Sequence, residues 1–78
     1  MGFPVQFKKF WSRRVIVEER KRDRSYVGLM VGEDPHFVYL EDVVILVNGK
    51  QTKTVEMALW KGRIGSIRLA PSDKGDEL

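Results

Sequence analysis

The side chains of this 78-residue sequence that could do chemistry fall in two short segments, Asp34-Pro35-His36 and Lys61-Gly62-Arg63. His36 is the only histidine, and its ring offers a flat face on which a nucleobase can stack. Lys61 and Arg63 could cover the other side of that base or neutralise a phosphate. Brought together, the two segments would hold an unpaired nucleotide. Asp34 and Gly62 would orient these loops, since proline biases Asp34 away from helix and glycine permits a tight turn.

Other chemistry is poorly served. There is no cysteine, which removes disulfides, a thiol nucleophile and the usual zinc ribbons. A lone histidine does not complete an ordinary zinc ligand set. The acidic pairs Glu33/Asp34 and Glu41/Asp42 are adjacent residues that point to opposite faces of an extended chain. Gly49-Lys50-Gln51-Thr52 lacks the first glycine and the spacing of a phosphate-binding loop. The expectation is a protein that is not an enzyme, needs no metal or other cofactor and takes no small-molecule substrate.

Charge is unevenly placed. The chain carries 14 Lys or Arg against 11 Asp or Glu, and residues 8–24 alone hold eight of the former and three of the latter. Such a cluster serves phosphate contacts or forms a solvated helix face followed by a charged hairpin loop. The N-terminal residues form no apolar signal region and no run is long enough to span a bilayer, so the expected location is cytoplasmic, without membrane contact. The final Gly75-Asp76-Glu77-Leu78 resembles a retention tail of the endoplasmic reticulum, which would need such a signal.

The elements that must position these residues follow from periodicity. Phe3, Phe7, Phe10 and Trp11 are spaced as one apolar face of a short helix over residues 3–11, with Pro4 tolerated in its first turn. From Arg13 the β-branched run Val15, Ile16 and Val17 favours a strand. Residues 26–31 alternate as a second strand, in which Gly28 and Gly32 remove side chains from one face and permit bending or close packing. Residues 37–47 form a long apolar strand with a bend at Glu41-Asp42. Asn48-Gly49 is a strong hairpin signal, because both residues tolerate positive φ. Residues 53–60 follow, with Val55, Met57 and Leu59 on one face; residues 64–69 make a last strand, and Pro71 stops it. The chain divides into a domain over 1–71 and a polar, disordered tail over 72–78. One helix and five antiparallel strands favour a strongly bent sheet or small open barrel. A domain this small buries limited core, so oligomerisation is the expected supplement.

At the two loops the sequence resembles the Sm and Sm-like (LSm) family, of the archaeal Sm-like type. The first Sm motif, G-x-L-x-G-x-D-x-H-M-N-L, is matched at Gly28, Gly32, Asp34 and His36 by identity and at Met30 by type. The second, I-R-G-x-N-I, is met by Leu59-Trp60-Lys61-Gly62-Arg63-Ile64, with Lys61 read in place of the arginine. The resemblance covers residues 4–70. It implies a helix capping a bent five-stranded sheet, a homo-oligomeric ring of six or seven subunits, and single-stranded RNA held at the pore. His36 then takes the stacking position, Lys61 and Arg63 meet the nucleotide, and Val38 stands where an asparagine reads the uracil edge. Valine offers no donor or acceptor, and lysine has no planar surface for stacking, so uridine selectivity is expected to be weakened. Trp60 would lie at the subunit contact or near the pore. The alternatives are a ring-forming scaffold that has lost nucleotide recognition and a small DNA-binding barrel.

Overall fold

The structure, a computed structural model, describes residues 6–21 and 24–71. Five strands, β1 (Arg13–Glu19), β2 (Arg24–Glu33), β3 (Phe37–Val47), β4 (Lys50–Trp60) and β5 (Ile64–Leu69), form one antiparallel sheet in the order β4-β3-β2-β1-β5. β4 and β5 are its two open edges. The expected five-stranded open sheet is present, and no helix among the described residues is long and apolar enough to cross a membrane.

The expected N-terminal helix is not. Ahead of β1 the described residues form only a 3₁₀ turn, Lys8–Phe10, without a side-chain cap. Trp11 is already extended and Ser12, at φ 66°, swings the chain into β1. Three residues form too short a nucleus for an α-helix, and the Phe7 N–H that would open one donates instead to both oxygens of the Glu33 carboxylate (2.9 and 3.1 Å). The basic residues at positions 8 and 9 therefore do not form a helix face. Phe7 and Phe10 still pack on the core, whereas Trp11 is exposed and donates its indole N–H to Glu33. Phe3, Pro4 and the tail over 72–78 lie outside the described residues.

The core is Val15 and Val17 of β1, Tyr26 and Met30 of β2, Val38, Leu40 and Val43 of β3, Leu59 of β4 and Ile64 of β5. Alternation along β3 breaks once. Val38 and Leu40 face inward, then Val43, because Asp42 stands at φ 51° and the β2–β3 pairing slips between Val27 and Leu29. This is the bend expected at Glu41-Asp42, an extra residue of the kind that kinks a strand. β4 stays in register with β3 through the bend, so Thr54 pairs with Val43 and Glu56 with Glu41. Val55 is consequently turned out, 78% exposed, rather than sharing the inner face with Met57 and Leu59.

Gly28 sits inside this bend. A Cβ there would meet the Val43 side chain at 3.0 Å and the Glu41 carbonyl oxygen at 3.1 Å. Gly32 has nothing within 4 Å. The β3–β4 turn is Asn48-Gly49 with φ of 50° and 83°, both in the left-handed region that such a two-residue turn requires.

Candidate nucleic-acid interface

β3 begins and β4 ends at the same end of the sheet, where Phe37 pairs with Trp60. That register brings the two predicted segments together: the Lys61 N–H donates to the His36 carbonyl oxygen at 2.8 Å. The loop before β3 is held by Asp34. One of its carboxylate oxygens accepts the N–H groups of His36 (2.8 Å) and Phe37 (2.7 Å), the other accepts the Tyr39 hydroxyl, and the Asp34 N–H donates to the Phe37 carbonyl oxygen. Asp34 is thus a side chain closing its own turn. The Tyr39 hydroxyl, followed by the two backbone donors, holds its carboxyl below the usual range, and the same bond raises the Tyr39 phenol. The His36 side chain, needed for none of this, is exposed.

The second segment is a 3₁₀ turn, Lys61–Arg63. Lys61 does not present its charge at the surface. Its ammonium lies 2.7 Å from a Glu33 carboxylate oxygen, the two side chains are 9% and 8% exposed, and the Phe7 ring centroid is 5.7 Å from the nitrogen. Arg63 is exposed, and its carbonyl oxygen accepts the Arg20 N–H at 2.8 Å. Gly62 is covered by the Trp60 indole; a Cβ on it would come within 2.5 to 2.6 Å of three ring carbons.

Val38 is fully buried opposite Leu59. Its side chain points into the core, on the other side of β3 from Phe37 and Tyr39, so this position offers a nucleotide neither an edge nor a backbone group freed from pairing.

Two residues at this end were not singled out in the sequence, and a third, Trp60, was expected only at the subunit contact or near the pore. Glu33 reads as part of a turn but gathers the N-terminal segment and Lys61 onto one carboxylate. Tyr39 reads as a strand residue but orients Asp34. Trp60, 52% exposed, ends β4 with its ring laid on Gly62. The last had a legible signal, a tryptophan two residues before a glycine at a strand end; the first two depend on contacts across 26 and five residues.

An exposed imidazole, an exposed guanidinium and an exposed indole therefore share one end of the sheet, near the basic β1–β2 connection. Such a surface can stack bases and attract phosphates. Among the described residues no group of three or more His, Asp or Glu could hold a metal ion.

No family model matches the sequence, and no curated protein matches it significantly. Solved structures do match in fold. A chain of a heptameric archaeal Sm protein is 22% identical, with a TM-score of 0.71 over 82% of this chain and 94% of its own. The Pyrococcus abyssi Sm protein, solved with a uridine heptamer, is 18% identical, with a TM-score of 0.72 over 81% and 90%. A chain of the NatC complex bound to CoA is 16% identical, with a TM-score of 0.72 over 95% and 96%. The chain has the Sm-like fold.

Proposed function

We propose that the protein is an Sm-like protein that assembles as a homo-oligomeric ring and binds single-stranded RNA without catalysis. The observation that carries this reading is the union of the two loops, with the Lys61 N–H bonded to the His36 carbonyl and the His36 and Arg63 side chains both exposed. Repeated around a ring, such weak sites act on one strand at high effective concentration. Ring closure is supported by the two open edges, β4 and β5, since pairing each with a neighbouring subunit removes unpaired backbone donors and acceptors. The exposed Val55 on β4 would be covered in the same step.

The reading includes little preference for uridine. Val38 is in the core and Lys61 is committed to Glu33, so the imidazole and Arg63 carry the contact without the amide that would read a uracil edge. Fluorescence anisotropy with labelled oligo-U, oligo-A and oligo-C at two salt concentrations tests this on the wild type and His36→Ala. The expected result is binding that weakens steeply with salt, falls in the variant and varies little among bases. Absence of binding at low salt would overturn it. Native mass spectrometry reads the subunit number, for which six or seven is expected.

A second reading, a scaffold that keeps the assembly but not the RNA, is favoured by the neutralised Lys61 and by the nearly complete mutual coverage with a NatC chain. Intact rings without oligonucleotide affinity would decide for it.

A further inference from the structure

Between Trp60 and the end of β1 lies a cleft of about 280 Å³, lined by Glu19, Arg20, Lys21, Trp60, Gly62 and Arg63. Backbone contacts fix its walls. The Arg20 N–H donates to the Arg63 carbonyl oxygen, and a Cβ on Gly65 would stand 3.0 Å from the Arg20 Cα, so β5 and the end of β1 are in close approach. The Trp60 indole lies against Gly62, where a Cβ would come within 2.5 to 2.6 Å of three ring carbons.

The charge of the cleft is one-sided. Glu19 is 8% exposed and turned inward, where it accepts the Tyr26 hydroxyl. Arg20, Lys21 and Arg63 have no ion pair among the described residues. What remains is an exposed aromatic face with three cations around it, the pairing that single-stranded nucleic acids meet on non-selective binding surfaces. No side-chain amide or hydroxyl lines the cleft, and with its cations on phosphates and Glu19 on Tyr26 no lining cation or carboxylate is left over to read a base edge or a 2′-hydroxyl.

We infer that this cleft is a second nucleotide site, in which one base of a single-stranded polynucleotide stacks on Trp60 while Arg20, Lys21 and Arg63 hold the flanking phosphates. The inference rests on the single-strand-binding reading above and extends it to a surface outside the His36 loop. The site is indifferent to base identity and accepts ribose and deoxyribose alike.

The test uses the full chain labelled with 5-fluorotryptophan, whose two tryptophans give separate ¹⁹F resonances; the Trp60 signal is assigned by its loss in Trp60→Phe. Oligo-A and an abasic oligomer of equal length are titrated into the wild type, Trp60→Leu and Trp60→Phe, with thermal melting to verify folding. The expected result is a shift of the Trp60 resonance with oligo-A but not with the abasic strand. Affinity for oligo-A should fall about five-fold or more in Trp60→Leu, be largely kept in Trp60→Phe, and be unchanged for the abasic strand in both. If Trp60→Leu binds oligo-A like the wild type, or if binding shifts Trp11 and not Trp60, the cleft is not a nucleotide site, while loss of affinity in His36→Ala alone leaves the first reading intact. If the wild type binds no oligonucleotide, both readings fall. Should Trp60→Leu melt early, the shift of the Trp60 resonance in the folded wild type still decides.

Discussion

The ammonium of Lys61 and the carboxylate of Glu33 form an ion pair at 2.7 Å that is almost closed to water and that ties the turn after β4 to the loop before β3. Removing one member leaves the other charge buried without a counter-ion, which costs more than the pair itself contributes. Lys61→Ala is expected to lower stability by about 3 kcal/mol. The same substitution in a Glu33→Gln background is expected to cost clearly less, since the charge to be stranded is already gone. Urea unfolding of the four proteins in this cycle measures the coupling, and additivity would show that the pair is not formed.

The two glycines of the first motif differ. Gly28 has a backbone carbonyl and the Val43 side chain where a methyl would go, so Gly28→Ala forces the bend apart and is expected to cost about 1–3 kcal/mol. Gly32 has open space, and Gly32→Ala is expected to be neutral or to stabilise by up to about 1 kcal/mol through the unfolded chain. Thermal midpoints of the two variants that moved together would contradict this.

Val38→Asn is the substitution that would restore a base-reading amide if this side chain faced RNA. It faces the core instead. The expected outcome is a loss of about 3 kcal/mol from burying an amide with no partner, and no new preference for oligo-U over oligo-A. A folded variant that gains uridine selectivity would show that β3 is set differently.

The turn around Asp34 carries a pH dependence. Its folded-state pKa is lowered, chiefly by the Tyr39 hydroxyl, so its contribution is full above the ordinary carboxylate value of about 4 and is lost as pH falls through the lower folded value. For Tyr39 the sign reverses: the raised phenol keeps its proton and the bond until pH climbs through the folded value, above about 10. Carbon-13 titration of the Asp34 carboxyl should place it below other exposed aspartates. In Tyr39→Phe it should move part of the way back, because the His36 and Phe37 N–H groups still donate. An Asp34 titration unaltered by Tyr39→Phe would exclude the bond.

The strands were legible because their signals are local. Val15 to Val17 and the Asn48-Gly49 turn each act through neighbours in the chain, and β3 runs over the expected residues 37–47. The helix was misread because the spacing of Phe7, Phe10 and Trp11 satisfies a helical period, while what decides the segment is the capture of the Phe7 N–H by Glu33, a residue 26 positions away. The site was half legible for the same reason. That His36 and the Lys61 turn should meet follows from two loops flanking a hairpin. That Lys61 should be neutralised, and that Val38 should face inward, depends on the β3–β4 register and on long-range charge, neither of which a single segment encodes. The alternation of Val55 with Met57 and Leu59 misled likewise, since a bend initiated at Asp42 in one strand turns out a residue of the next.

Asp42 works as the crease in a folded card. Before it, the panel formed by β3 and β4 shows Val38, Leu40 and Leu59 to the interior; after it, Val43 and Thr54 do so, and both panels belong to uninterrupted strands. A chain too short for two stacked sheets thereby encloses its core with one. The parity of the crease carries the whole arrangement: a strand that ran straight through Asp42 would continue the alternation of Val38 and Leu40, sending Asp42 and Val44 inward and leaving Val43 outside, with no change in composition anywhere.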